Sequence, residues 1–550
     1  MAARRAPAAE ATAPVERAPR RTVHRPPPTG PRGVRAPARE TSVTTQASPS
    51  PTPTAWLPVV AVVVIGTFMA VLDTSIVNVA IPSIENELGA SADQGEWVVT
   101  GYSLTLGVVV PTSSWLGERY GLERVLNVAL LLFIAGSALC GLATSISTLI
   151  GLRLFQAIGG GLLPTLSLTI VYRVVPREKI GAALGIYGFG VVLAPAIGPA
   201  IGGFLVQYSS WRLIYFINVP IGLIGAVLSY RLLPRFERTR GRRFDLAGWV
   251  TIAVGLFSLL LALSEGQKWH WTSYRVLGLL AVGILSLALF VVLELSAEQP
   301  LLDPRVFRNS NYRISAALIA VLSNGLFGAA FFIPLFLQQG DGLNAFQTGL
   351  TLVPAVFVTM VIMPLSGQLY DRFGARTLAV PGLLFLALAE YLMHGVSTDT
   401  SREQVIMWLA IQNLGIGLSF IPVVTGSLSR LAGAQVSVGT AMNNLIQQVS
   451  GAVGLAVLGA LLSGYEAQRL VGQSDLLPSV APGFPQLQAL AGSGQAGALF
   501  LDNVVQLRVF GLALGNVFLL LAGLSAAAAV LALLLPARRR TPAGAAVVVA

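Results

Sequence analysis

From Leu57 onward, apolar stretches recur at roughly the 20-residue length that an α-helix needs to cross the hydrocarbon of a bilayer. No other feature restricts the fold so sharply. Backbone N–H and C=O groups in lipid find no water, so each stretch must close its own hydrogen-bond ladder as a helix. About fourteen such stretches can be marked, starting with 57–80, 97–117 and 125–144 and ending with 404–429, 437–463 and 509–535. The chain has 54% hydrophobic and 11% charged residues. A soluble domain carries roughly 25% charged residues, so most of this exterior must face lipid. The expected class is an all-α polytopic membrane protein.

Charge placement orients the helices. Residues 1–55 are rich in Pro, Ala, Arg and Thr without apolar periodicity, which predicts a disordered cytoplasmic tail. The first apolar run begins too late and is too long for a cleaved signal peptide. Arginines crowd alternate loops, for example Arg173 and Arg177, Arg235 to Arg243, and Arg372 and Arg376. The opposite loops hold only Arg212, Lys268, Arg275, Arg402, Arg469 and Arg508. The positive-inside rule then puts both termini, including a second tail at 537–550, in the cytoplasm. The polar loop 464–508 is expected to face outward. Lysine is confined to Lys179 and Lys268, a usage that points to a bacterium with a GC-rich genome. The net charge of +11 implies no nucleic-acid partner, because no basic face interleaves with aromatics.

Other chemistries lack their residues. Cys140 is the sole cysteine, and His24, His270 and His394 are scattered. No metal site or disulfide framework follows. Gly159-Gly160-Gly161 runs into Leu162-Leu163-Pro164 rather than a phosphate-binding loop, so neither ATP nor another cofactor is expected. No nucleophile–base–acid set marks an enzyme.

One loop signature appears twice. Ser114-Trp115-Leu116-Gly117-Glu118-Arg119-Tyr120-Gly121 follows the second stretch, and Gly367-Gln368-Leu369-Tyr370-Asp371-Arg372-Phe373-Gly374 follows the tenth. Such repetition is expected of a transporter made of two related bundles. The predicted division is an N-terminal six-helix bundle at 56–235, an inserted helix pair with linkers at 236–300, and a C-terminal six-helix bundle at 301–536.

These signatures resemble the major facilitator superfamily, and more narrowly its fourteen-helix drug–proton antiporter branch (the EmrB/QacA type). Leu72-Asp73-Thr74-Ser75-Ile76-Val77-Asn78-Val79-Ala80-Ile81-Pro82 is similar to the branch's LDxTIVNVALP. Arg153-Leu154-Phe155-Gln156-Ala157-Ile158-Gly159-Gly160 resembles RxxQGxGG. Ala194-Pro195 with Gly198-Pro199 and Gly202-Gly203 resembles the antiporter motif. Trp211-Arg212, Phe216-Ile217-Asn218 and Phe346-Gln347-Thr348-Gly349 fit as well. Ser114, Glu118 and Ala157 depart from the usual Gly, Asp and Gly. The resemblance implies a major facilitator fold and a monomeric proton-coupled antiporter in the bacterial cytoplasmic membrane. It would export small amphipathic or cationic compounds, as in multidrug or antibiotic efflux. An exporter of an endogenous metabolite, such as an amino acid or siderophore, is the alternative.

Within that frame Asp73 and Arg153 are the expected proton-coupling residues. At ~1.5 Å per residue they lie roughly 10 Å and 8 Å below the outer ends of their helices, so they can pair. Asn78, Gln156, Asn443 and Gln447, with neighbouring Gln412, Asn444 and Gln448, either line the substrate cavity or bond helix to helix. Gly190, Ala194, Gly198 and Gly202 form a small-residue stripe that permits close helix approach. Pro195 and Pro199 are expected to bend the helix, and the resemblance gives this motif, with Gly203, the role of sealing the cavity. Glu118 with Arg119 and Asp371 with Arg372 are expected to latch one conformation by engaging an arginine or a helix N-terminus. Glu390, one turn from His394, either forms a second protonation site or snorkels to the interface.

Overall fold

The computed structural model describes residues 56–239, 243–339, 342–343, 345–397, 400–431, 434–474 and 495–536. The tails expected at 1–55 and 537–550 lie outside the described residues, as does 475–494 of the expected outer loop. Among the described residues there is no strand. The first part of the chain forms α1 (Trp56–Leu88), α2 (Ala92–Val109), α3 (Thr112–Tyr120), α4 (Leu122–Gly141), α5 (Ile146–Val174), α6 (Ile180–Tyr208), α7 (Leu213–Phe216) and α8 (Asn218–Leu232). Then follow α9 (Leu246–Glu265) and α10 (Tyr274–Ser296). The rest forms α11 (Ser310–Gln339), α12 (Ala345–Phe373), α13 (Ala375–Met393), α14 (Arg402–Leu428), α15 (Ala434–Ser474) and α16 (Gln495–Ala532). The ends are called inner and outer after the arginine bias.

Among the described residues thirteen helical segments are long and apolar enough to cross a membrane, α7 and α8 together making one of them. The expected span at 97–117 is not among these thirteen. It is built from α2 and α3, with Asp93, Gln94 and Glu96 in its outer turns and a break at Val110 and Pro111. Proline has no N–H with which to continue the ladder, and the charged start dilutes the hydropathy. The helices flanking the expected 464–508 loop also run further than their apolar parts, to Ser474 and from Gln495. Hydropathy marks what lies in lipid, whereas a helix continues into water while its residues favour it.

Local chemistry sets the helix ends. Ser91 and Ser401 cap α2 and α14, each in a capping box closed by Gln94 or Gln404. Such caps satisfy N–H groups that the helix leaves orphaned, worth about 1 kcal/mol each. At the inner side Gly121 (φ 94°) and Gly374 (φ 82°) turn the chain into α4 and α13. Only glycine adopts this backbone without strain, which is why both repeated signatures end on it.

Packing divides the helices into two groups. In the first, α1 packs on α5, α6 and α8, and α4 and α2 pack on α5. In the second, α13 and α12 pack on α14, while α11 contacts α14, α15 and α16. The groups meet most extensively along α6 and α12. α9 and α10 pack on each other, and α9 also touches α2 and α15, so the extra pair lies beside the joint. At its outer end Lys268 pairs with Asp93 and with Glu96 at 3.1 Å. Hydrogen bonds to these carboxylates hold the ammonium above the usual lysine range, so it stays charged. The outward face of α10 is bare hydrocarbon: Ile284, Leu285 and Val292 are at least 59% exposed. A surface of this kind suits lipid, not water.

Candidate functional site

Helix α1 buries Leu72, Ile76 and Val77 against its neighbours, and Asp73 goes in with them, fully enclosed. An isolated carboxylate there would be very unfavourable, so its partners decide what it is. Arg153 Nη1 on α5 donates to Asp73 Oδ2 at 2.5 Å. Gln156 Nε2, one turn further along α5, donates to Oδ1 at 3.0 Å, and Asn218 Nδ2 at the start of α8 does so at 3.1 Å. Arg153 also donates to Gln156 Oε1 at 2.8 Å and to the Val98 carbonyl at 3.3 Å. Its guanidinium lies 4.0 Å from the centroid of the Tyr102 ring, a cation–π contact from α2. Asn218 reaches Ser137 Oγ on α4 at 3.1 Å, and Ser137 donates to the Tyr215 carbonyl at 2.8 Å. One ionised pair of zero net charge, saturated with amide donors, thus ties together α1, α2, α4, α5, α7 and α8.

The residues singled out from the sequence fall into different places. Asp73, Arg153 and Gln156 come together in this network. Asn78 does not; it is exposed, about 140° round α1 from Asp73 and on the side of Thr74. On α15, Asn443 is buried and donates to Ser427 Oγ within its own bundle, and Gln447 is half-buried. Their neighbours make the crossing: Asn444 Nδ2 donates to Thr165 Oγ1 on α5 at 2.8 Å, and Gln448 to the Ser103 carbonyl on α2 at 3.3 Å.

The small-residue stripe on α6 faces α1. A Cβ at Gly202 would stand 2.8 Å from Ile76 Cγ1 and 3.1 Å from its carbonyl, and one at Gly198 would collide with Ser75. Gly190 meets Val64 in the same way, and Ala194 is fully buried. Pro195 is exposed, Pro199 and Gly203 are half-buried, and α6 runs unbroken through both prolines. Its inner end lies against α12, backbone to backbone: Gly181 and Gly367 face each other, and a Cβ at Gly185 would be 2.6 Å from Pro364 Cα.

The repeated signatures hold the inner end. Asp371 accepts hydrogen bonds from the Gly181 and Ala182 N–H groups at 2.9 and 3.1 Å, at the N-terminus of α6. Glu118, nearly buried, lies 4.0 Å from Arg173 at the end of α5, and Arg173 also donates to Ser437 on α15 at 3.1 Å. Arg119 is half-buried and Arg372 exposed. Tyr172 adds a bond to the Val424 carbonyl on α14 at 3.4 Å. The Asp371, Arg173–Ser437 and Tyr172 contacts join the two bundles at this end, whereas Glu118 holds Arg173 from within the first.

Glu390 does not snorkel. It is fully enclosed, facing Gly325 on α11, while His394 turns away to the Gly515 carbonyl at 2.9 Å. Among the described residues no group of three or more His, Cys, Asp or Glu is placed to hold a metal ion. Sequence reasoning left Asn218, Tyr102, Ser137 and Tyr215 without a role. Only Asn218 carried a signal, as an amide inside an apolar stretch.

Comparison with known proteins identifies the architecture. The family model described as Major Facilitator Superfamily matches residues 63–455. The uncharacterized MFS-type transporter YhcA of Bacillus subtilis is 34% identical, over 72% of this chain and 75% of its own length. The multidrug transporter protein MdtP of the same organism is 31% identical over 79% of this chain and 82% of its own. The putative multidrug resistance protein MdtD of Serratia proteamaculans is 32% identical over 76% and 87%. Among solved structures, the proton:xylose symporter XylE superposes with a TM-score of 0.56 at 12% identity, covering 88% of this chain and 96% of XylE. The human organic anion transporter MFSD10 gives 0.55 at 14% identity, covering 86% and 99%. At such identities these structures speak for the fold alone. By its family match and its bacterial relatives, the chain belongs to the major facilitator superfamily and is a polytopic membrane transporter, not an enzyme.

Proposed function

We propose that this chain is a proton-coupled antiporter exporting small amphipathic or cationic compounds across the bacterial cytoplasmic membrane, as a monomer with both termini inside. The carrying observation is the sealed Asp73–Arg153 pair, which joins α1 to α5 and, through Asn218, to α8. Protonating Asp73 removes the charge that holds Arg153 and leaves the guanidinium with Gln156, the Val98 carbonyl and the Tyr102 face. The helices are then free to shift, and their movement alters how readily Asp73 gives the proton up. Relatives named as multidrug transporters support the class of cargo.

In this reading residues 56–235 and 301–536 are the two moving bundles, and 236–300 is a pair riding at their joint. The inner latch, formed by Asp371 of α12 against the α6 N-terminus and by Arg173, steadied by Glu118, against Ser437, opens and closes once per cycle. The α6 stripe keeps the outer half of the first bundle tight while α6 moves against α12. A proton falling through 100 mV releases about 2.3 kcal/mol, and each pH unit adds about 1.4. For one proton against a neutral substrate these together sustain a gradient on the order of several hundredfold, whereas against a monovalent cation only the pH term drives the exchange.

The test is substrate efflux in everted membrane vesicles against a panel of lipophilic cations, neutral antibiotics, amino acids and siderophores. Proton-driven uptake of amphipathic or cationic members supports the proposal. Transport confined to an amino acid or siderophore selects the metabolite exporter, and transport that needs ATP without a proton gradient rejects antiport altogether.

A further inference from the structure

The two bundles can be placed in register by their own landmarks. Gly121 and Gly374 start α4 and α13, and Ser145 and Ser401 cap α5 and α14. Counted from the glycines, Ser137 and Glu390 hold the same position. Counted from the serines, Gln156 matches Gln412, and Arg153 matches Leu409. In the first bundle these positions build the Asp73 network. In the second, Gln412 Nε2 donates to the Gly325 carbonyl on α11 at 3.3 Å. Glu390 Oε1 stands 2.9 Å from where a Cβ on Gly325 would be, so the glycine makes room for the carboxyl group. The polar site is therefore repeated, with its carboxyl moved from the first helix of the bundle to the third and its guanidinium replaced by Leu409.

That exchange changes the chemistry. Glu390 is fully buried, and neither of its oxygens has a hydrogen bond. The Ser525 hydroxyl on α16 lies beside it, the Gln412 amide on α14 is committed to Gly325, and Leu386 completes the wall. No charged side chain of α11, α12, α14 or α16 acts on it among the described residues, and His394 is engaged with Gly515. An anion there has no counter-ion and at most the single neutral hydroxyl of Ser525 to turn to, whereas a neutral acid is tolerated. We propose that Glu390 is a second proton-binding site, loaded in this conformation and emptied when movement of α11 or α16 against α13 admits water. The first bundle then holds an ion pair while the second holds a proton. Only the transport role of this site rests on the antiporter reading.

Infrared spectroscopy of the protein in lipid at neutral pH tests the occupancy. The expected result is a carboxylic-acid C=O band that shifts in D2O, disappears in Glu390→Gln and moves in Glu390→Asp. If the Gln variant fails to fold, the Asp variant still assigns the band. No band lost or moved in either variant overturns the proposal. In proteoliposomes, Glu390→Gln is expected to exchange one proton fewer per substrate than wild type, and an unchanged ratio rejects the role in transport. A wild type that shows the band without any proton-coupled transport would sink the antiporter reading and leave the proton site standing.

Discussion

Replacing Arg153 by methionine keeps most of the side-chain volume and removes the charge, which makes it the sharpest test of the buried network. Asp73 would retain Gln156 and Asn218 as donors but lose the guanidinium that pairs with it, and Tyr102 would lose the cation on its ring. Leaving one member of a buried ion pair uncompensated costs about 3–5 kcal/mol. Adding Asp73→Asn removes the stranded charge, and an amide still bonds to its neighbours, so the double variant is expected to recover most of that loss. Thermal denaturation in detergent, followed by intrinsic fluorescence and gel filtration, gives the four corners of the cycle. The single Arg153→Met variant should melt several degrees below wild type and the double variant close to it. A double variant as unstable as Arg153→Met would refute the reasoning, because the loss would then come from packing and not from the unpaired carboxylate.

Other expectations follow from the joints. Asp371→Asn weakens two charge-assisted bonds to the α6 N-terminus, a loss of about 1–2 kcal/mol from the inner latch. Thiol labelling of cysteines introduced on the inner faces of α6 and α12 should become faster, and unchanged labelling would remove the latch role. Gly202→Val drives a branched side chain into Ile76 and is expected to abolish transport with a lower melting midpoint, whereas Gly203→Ala meets open space and should change neither. Asn444→Ala and Gln448→Ala cut bonds between bundles and should shift the balance of conformations read by the same labelling. Asn443→Ala acts within its own bundle and should move the melting midpoint instead, so identical behaviour of Asn443 and Asn444 variants would contradict the helix rotation described.

Much of this was legible in advance because lipid leaves few choices. Span length sufficed for the helices, and Asp73, Arg153 and Gln156 stood out as polar groups in apolar runs. Rotation about the helix axis was not legible. Asn443 and Asn444 are adjacent in sequence yet about 100° apart on α15, and nothing local says which one faces the other bundle. Glu390 reads equally well as snorkelling or buried until Gly325 is seen to leave space for it. Asn218 looked like part of a motif and proved to be the third donor to Asp73, a role set by how α8 crosses α1 and α4. The second span was marked at 97–117, but its division into α2 and α3 at Val110 and Pro111 was not, although the proline itself was visible.

The central claim is that Asp73 carries the coupling proton. The direct measurement is transport by Asp73→Asn in proteoliposomes under an imposed pH gradient, beside substrate exchange with no gradient. The account predicts a folded variant that still exchanges substrate but, lacking the proton carried at Asp73, accumulates it to a clearly lower ratio than wild type under the same pH gradient. Full proton-driven accumulation by Asp73→Asn would contradict it.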